Sequence, residues 1–115
     1  MLSGDKYMML GMQSEVLKGH VDLLLLAVLE RGEAHGYGIV ELVRTRSAGV
    51  FDLAEGTVYP ALYRLERAGL VASRWEVVDG RRRRVYRLTR RGERSLVARR
   101  GSWERYTDGM TAVLA

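Results

Sequence analysis

Two β-prone segments joined by Asp79-Gly80 constrain the fold of this chain more than any other feature of its sequence. Residues 70–78 alternate in polarity and include leucine, valine and tryptophan, and residues 81–88 combine five arginines with valine, tyrosine and leucine. An Asp-Gly pair between two such runs is typical of a type I′ turn, in which both central residues take positive φ. The sequence therefore predicts a tight β-hairpin from Leu70 to Leu88.

Three helical segments are predicted before the hairpin. The first runs from about Ser14 to Arg31 and is apolar nearly all round, as expected for the core helix of a small domain. The second follows Tyr37 and ends near residues 47–49. The third begins between Ala54 and Thr57 and ends at residues 68–69. With Thr57 as N-cap, Pro60 would lie in the first turn, whereas an earlier start predicts a slight kink at Pro60.

A long helix is predicted after the hairpin, capped by Thr89 and extending over residues 90–114. It would reach roughly 37 Å if wholly helical. Its apolar positions approximate a heptad pattern broken by Arg99, and we predict that they form a dimer interface: Leu96, Trp103, Tyr106, Met110 and Val113. A domain of 115 residues needs no such appendage for its own core, so the helix is expected to pack on a second copy.

The order of elements predicts a mainly α fold with a small β-hairpin, namely a winged helix-turn-helix domain with a long C-terminal dimerisation helix. We expect an N-terminal arm over residues 1–13, which show no clean periodicity, the winged domain over residues 14–88, and the dimerisation helix over residues 89–115.

Positive charge is concentrated in one region of the chain. Residues 81–100 contain ten arginines and a single acid, for a net charge of +9, whereas the remaining residues sum to −4. Such a patch attracts polyanions, of which nucleic acid is the commonest in a cytoplasm, although a solvated charged surface is the simpler alternative. The absence of cysteine suits a reducing cytoplasm, and no transmembrane span or signal peptide is expected.

One face of the third helix is apolar, and the opposite face carries aromatic and charged side chains. Val58, Ala61, Leu62 and Leu65 fall on the arc that should face the core. The opposite arc carries two tyrosines and two arginines, groups that bond phosphates and base edges in a major groove. In the alternative, the tyrosines pack on the second helix or the hairpin, and the arginines pair with Asp52 or Glu66.

The hairpin adds four consecutive arginines, which would repel one another unless phosphates lie beside them. The predicted double-stranded DNA contacts are therefore Tyr37, Thr57, Tyr59, Pro60, Tyr63, Arg64, Arg67, Arg81, Arg82, Arg83 and Arg84. No catalytic residue, metal ligand or cofactor is predicted. His20 and His35 lack the spacing of a metal site, and no serine lies in a recognisable catalytic motif.

Several short motifs occur along the chain in a recognisable order: residues 17–26 (LKGHVDLLLL), 35–39 (HGYGI), 55–66 (EGTVYPALYRLE), 69–71 (GLV), 86–89 (YRLT) and Gly92. With these motifs the sequence resembles, from about residue 15 to residue 114, the PadR family of transcriptional regulators. It departs in the hairpin, where the turn is tight and Val85 replaces one of two adjacent aromatic residues.

This resemblance implies a homodimeric repressor that binds inverted-repeat operators and is often released by a small molecule. It also implies the short subfamily, in which a single C-terminal helix makes the dimer and, in some members, a tryptophan at the interface stacks on flat aromatic ligands. Trp103 resembles that tryptophan, although it could instead only pack the interface. Two other readings of the chain stay open: a winged helix that binds a protein, and a basic surface for RNA or membranes.

Overall fold

The computed structural model describes residues 20–115, so the predicted arm and the first part of the predicted first helix lie outside the described residues. Within this range, four helices and three strands follow in order: α1 (Val21–Leu29), β1 (Ala34–His35), α2 (Gly36–Arg46), α3 (Glu55–Arg67), β2 (Val71–Val78), β3 (Arg81–Leu88) and α4 (Arg90–Leu114). The predicted mainly helical winged helix-turn-helix with a long last helix is confirmed.

The core forms around α1, which contacts α2, α3, α4 and β3. Leu25 and Leu26 of α1 are fully buried. They pack with Ile39 of α2 and with the predicted apolar face of α3, whose four members are all 2% exposed or less: Val58, Ala61, Leu62 and Leu65. A helix that is covered on so many sides has to be apolar nearly all round, which explains the leucine-rich run of α1.

Helix α3 begins at Glu55 with Ala54 as N-cap, so the alternative that placed Thr57 at the cap is wrong. Pro60 is therefore the sixth helical residue, where its ring removes the backbone bond to the carbonyl of Gly56. Both residues are exposed, so water can bond to that carbonyl instead. The helix ends in a Schellman motif, in which the Leu70 amide donates to the Leu65 carbonyl over 2.9 Å.

The hairpin forms with the predicted two-residue turn. Asp79 and Gly80 have φ values of 52° and 76°, as a type I′ turn requires, and Val78 pairs with Arg81 across it. A third strand, β1, pairs with β3 on the side opposite β2 and makes a three-stranded antiparallel sheet. This strand was not predicted, since two residues are too few to show an alternating pattern.

Helix α4 starts where the chain leaves the sheet, and its start is fixed in two ways. Thr89 caps it as predicted, with its hydroxyl oxygen accepting from the Gly92 amide at 3.0 Å. Gly92 is buried against the hairpin, so closely that a Cβ there would overlap the Leu70 carbonyl and lie 2.8 Å from Leu88 Cδ1. The first turns of α4 are thus held against the winged domain.

The predicted role of Leu96 in the dimer interface is corrected by the structure. Leu96 is only 1% exposed and belongs to the same core as α1, so it is not available to a second copy. The heptad stripe leaves the domain further along, because every residue from Ser102 to Ala115 is exposed. No helix among residues 20–115 combines the length and apolar character needed to cross a membrane.

The contact at Gly92 predicts a strong position-dependent effect of a single methyl group. Gly92→Ala should lower the free energy of unfolding by about 1–3 kcal/mol, because the backbone of Leu70 must move away. Gly101→Ala in the same helix is the matched control, since its Cβ would make only an ordinary contact with Arg105 at 3.6 Å. It should raise stability by up to about 1 kcal/mol through helix propensity. Urea denaturation measures both changes, and equal effects would contradict the close approach.

Candidate functional site

The exposed face of α3 consists of the side chains that the sequence predicts there: Tyr59, Pro60, Tyr63, Arg64 and Arg67. Tyr63 is the most open of its aromatic residues, at 61% exposure, and the Arg67 guanidinium lies 5.7 Å from its ring centroid. Thr57 is exposed in the first turn of the same helix. Because the opposite face of α3 packs on the core, these side chains project from the domain.

Tyr59 is partly packed within the protomer, as one of the alternatives for the tyrosines allowed. Its ring lies over Gly36 at the start of α2, where a Cβ would come within 2.5 Å of the Tyr59 hydroxyl oxygen. The side chain is still 44% exposed. Gly36 therefore sets the position of the Tyr59 ring, and Tyr37 beside it is itself exposed at the same edge of the domain.

Arg64 is paired with a residue that the sequence did not suggest. Its Nη2 lies 3.4 Å from Asp22 Oδ1 on α1, in place of the predicted alternatives Asp52 and Glu66. The other oxygen of the same carboxylate, Asp22 Oδ2, is 3.9 Å from Arg99 of α4. Asp22 is thus shared by one arginine of the α3 face and one of the last helix. Arg64 remains mostly exposed, so this pair holds it only weakly.

The four consecutive arginines at the start of β3, residues 81–84, have different partners; a fifth, Arg87, lies further along the strand. Arg83 faces Glu76 across the hairpin, with Nε and Oε2 3.1 Å apart. Arg84 donates to Ser73 Oγ at 2.8 Å and lies 3.6 Å from Glu66. Arg81 and Arg82 form no ion pair within residues 20–115, although Arg82 lies over the ring of Trp75. Two of the four positive charges are therefore compensated by carboxylates and two are not.

Two contacts fix the hairpin relative to the helices. Ser73 donates to Glu66 of α3 at 2.6 Å, which joins the middle of β2 to the end of α3. Arg74 makes a two-pronged bond with Glu33, at 2.7 and 2.8 Å, just before β1. The hydrogen bonds from Arg74 lower the pKa of the Glu33 carboxyl and raise that of the guanidinium. Because both partners are exposed, they orient the hairpin more than they stabilise it.

An open cavity of about 540 Å³ lies between the hairpin and the helices. Its lining combines arginines with aromatic rings: Tyr37, Tyr59, Trp75, Arg82, Arg83, Arg84 and Tyr86, beside His35 and Gly36. A second opening of about 490 Å³ continues it along α3 past Tyr63 and Arg67. The exposed face of α3 and the arginines of β3 thus border one continuous concave surface, which we call the α3–hairpin surface.

A separate cavity of about 350 Å³ lies between α1 and α4. Trp103 lines it, with the His20 ring edge-on at 4.8 Å and the Tyr106 ring tilted at 5.5 Å. The other lining residues are Leu23, Ala98, Arg99 and Ser102. Trp103 is 38% exposed, so one face of this cavity opens away from the protomer.

Three contributors to the site were missed by the sequence analysis: Asp22, Trp75 and the Glu66–Ser73 pair. Asp22 stands among leucines in the first helix, and no local pattern indicates that two arginines 42 and 77 positions later approach it. Trp75 could have been found, because the hairpin register places it directly opposite Arg84. Its exposure at 54% then follows from its charged neighbours.

The fold and this surface define a class of protein. Three helices followed by a hairpin, with the third helix exposing a polar aromatic face beside a basic wing, are a winged helix-turn-helix of the kind found in transcriptional regulators. The family model described as "Transcriptional regulator PadR-like family" matches residues 25–98. The chain belongs to this PadR-like family, which is one of transcriptional regulators and not of enzymes.

Relatives of known sequence or structure agree with this assignment. "Transcriptional regulator Rv3488" of Mycobacterium tuberculosis is 39% identical over 90 residues, which cover 78% of this chain and 81% of the relative. The crystal structure of a PadR family transcriptional regulator from Eggerthella lenta is similar with a TM-score of 0.82 and 30% identity, over 99% of this chain and 97% of the other.

A second similar structure is that of Bacillus subtilis PadR in complex with operator DNA. It has a TM-score of 0.63 and 23% identity, and the match covers 68% of this chain and 45% of that one. At this identity the likeness concerns the fold.

Proposed function

We propose that this protein is a sequence-specific regulator that binds double-stranded DNA as a homodimer, and that it acts in the cytoplasm as a repressor on an inverted-repeat operator. The observation that carries the proposal is the α3–hairpin surface. It joins an exposed helix face of tyrosines and arginines to a strand in which Arg81 and Arg82 have no carboxylate partner among residues 20–115. The operator complex of the B. subtilis relative supports this use of the fold.

The two parts of the surface suit different parts of a duplex. A helix fits the major groove, where an arginine such as Arg64 or Arg67 can form two parallel bonds with guanine O6 and N7. We expect Tyr59, Tyr63 and Thr57 to bond phosphates or base edges on either side. The arginines of β3 carry charge with little shape specificity, so they serve the phosphate backbone and supply affinity for any sequence.

Homodimerisation is proposed through the free part of α4. Beyond the core contact of Leu96, the stripe of Trp103, Tyr106, Met110 and Val113 stays between 38% and 84% exposed in the protomer. An apolar stripe at heptad spacing on a projecting helix is stable in water when a second helix covers it. Two-fold pairing would place the two α3 helices in successive major grooves, about 34–36 Å apart.

We further propose that a small planar aromatic effector stacks on Trp103. The cavity around this ring has aromatic partners in His20 and Tyr106 and opens toward the proposed dimer partner. A ligand held there would favour a dimer in which the α3 helices are misplaced for DNA. If Trp103 only packs the interface, the helix pairing proposed above is unchanged.

A winged helix that binds a protein is the rival function. Such a module would expose an apolar or acidic patch at the α3 face. The described surface instead exposes arginines and tyrosines there, which favours nucleic acid.

The first prediction distinguishes the residues that recognise the DNA sequence from those that bind DNA only through their positive charge. Binding is measured by fluorescence anisotropy with a labelled duplex from the region upstream of the gene, beside a scrambled duplex, at two salt concentrations. Arg64→Ala should reduce the preference for the native duplex by roughly 5- to 150-fold, the value of one two-pronged guanine contact. Replacing Arg82 and Arg83 by alanine should weaken binding to both duplexes equally. It should also reduce the slope of log affinity against log salt concentration by about 0.9 per lost phosphate contact.

Arg105→Ala is the control, since it removes the same charge from an exposed position on α4. It should leave the sequence preference unchanged. Equal effects of the Arg64 and hairpin variants on preference would contradict this division of roles. Absence of binding by the unaltered protein at low salt would refute DNA binding and favour the protein-binding module.

The second prediction concerns the dimer. Met110→Glu places a charge in the exposed stripe and should shift the protein from twice its 13.0 kDa chain mass to a single chain in light scattering after size exclusion. Val97→Glu is the matched control, because Val97 is also exposed on α4 but lies off the stripe. A monomeric unaltered protein, or a dimeric Met110→Glu variant, would refute pairing through this stripe.

The third prediction concerns the effector, and the two tryptophans provide matched variants. With proflavine as a planar aromatic probe and no DNA present, Trp103→Ala should weaken binding by about two- to twelve-fold, which corresponds to the loss of one aromatic stack. Trp75→Ala, which removes the other exposed tryptophan, should leave it unchanged. Equal binding by both variants and the unaltered protein would leave Trp103 with interface packing alone.

A further inference from the structure

Trp75 is a large aromatic residue of β2 that is not part of the hydrophobic core. It is 54% exposed in the middle of β2. In the hairpin register Trp75 pairs with Arg84, and Val77 pairs with Arg82, so these four side chains share one face of the sheet. The same face carries Ser73 and Tyr86, which lie toward α3.

Both arginines of this face lie over the indole ring. The guanidinium carbon of Arg82 is 4.6 Å from the ring centroid and that of Arg84 is 5.2 Å away. These distances are within the range of a cation–π interaction, for which tryptophan is the strongest partner. Trp75 also lines the 540 Å³ cavity, so the stack lies on the α3–hairpin surface itself.

The stack differs from an ion pair in one respect that matters for a polyanion. The carboxylates of Glu76 and Glu66 orient Arg83 and Arg84, but they also offset the charge of those arginines. The ring of Trp75 orients Arg82 and leaves its positive charge uncompensated among residues 20–115. An arginine that is ordered in advance loses less side-chain freedom when it binds, so its full charge is available at a smaller entropic loss.

We propose that Trp75 is a positioning residue that holds Arg82 toward the phosphate backbone. This inference rests on the proposed DNA-binding function and makes it more specific. Of the four consecutive arginines at the start of β3, Arg82 is then the main phosphate contact on the side of α3. Arg83 and Arg84 chiefly fix the hairpin through Glu76, Ser73 and Glu66.

A double-mutant cycle tests the proposal with the full-length protein and the same anisotropy measurement. Trp75→Leu should weaken binding to the native and the scrambled duplex alike by about two- to five-fold, the value of an exposed cation–π contact. In an Arg82→Ala background the same change should have no further effect, because Arg84, the other arginine over the ring, is already held by Ser73 and Glu66. Trp75→Phe keeps an aromatic ring, so its affinity for both duplexes should lie between that of Trp75→Leu and that of the unaltered protein.

Two controls separate positioning from structure. Val77→Ala shortens the cross-strand neighbour of Arg82 but keeps the indole ring, so it should leave binding unchanged if the ring positions Arg82. In the free protein, the side-chain methylene protons of Arg82 should show upfield NMR shifts from the indole ring that disappear in Trp75→Leu. This readout requires no DNA and is not moved by a general loss of stability.

The possible outcomes distinguish this proposal from the one on which it rests. If the unaltered protein binds DNA and Trp75→Leu has the same effect with and without Arg82, the ring acts on DNA or on the fold directly, and the positioning role is refuted. An unchanged affinity of Trp75→Leu refutes it equally. If the unaltered protein binds neither duplex, the proposed function itself fails, and the positioning role fails with it.

Discussion

The burial of α1 determines where the other elements lie, because an almost wholly apolar helix must be covered on nearly every side. Helices α2, α3 and α4 and strand β3 all contact it. Asp22 is a polar exception at the rim of this helix, and its carboxylate is within 4 Å of arginines on both α3 and α4. The element that forms the core is therefore also the element that brings the α3 face close to the last helix.

Four adjacent arginines on one strand repel one another, and the hairpin deals with this in two ways. Carboxylates lie beside Arg83 and Arg84, while an aromatic ring lies beside Arg82. Exposed ion pairs contribute little to stability, so these contacts do not explain why the arginines are present. They explain how a strand with so much positive charge keeps a defined geometry while part of that charge remains free for an anionic partner.

Most of the fold could be predicted because its signals are local. The Asp79-Gly80 turn, the Thr89 cap and the buried face of α3 each depend on residues within a few positions of one another, and all three are confirmed. The start of α3 was ambiguous because Ala54 provides no side-chain cap. Strand β1 was missed because its two residues become a strand only by pairing with β3, about 50 positions later.

The candidate site could be predicted less completely, for the same physical reason. Helical periodicity places Tyr63 and Arg64 on an exposed face, but it does not show that Asp22 approaches Arg64 or that Gly36 supports Tyr59. Leu96 shows the limit most clearly. A heptad pattern identifies which side of a helix is covered, but not whether the same chain or another one covers it.

The stripe of α4 changes its role along the helix, and Arg99 lies at the point of change. On one side of it Leu96 is buried in the protomer, and on the other side Trp103 opens outward. The Thr89 cap and the close approach at Gly92 hold the start of α4 to the hairpin. A change in packing at Trp103 is therefore expected to turn α4 and the winged domain together as one rigid body. In a two-fold dimer, such a rotation would alter the separation of the two α3 helices without any rearrangement inside the domain.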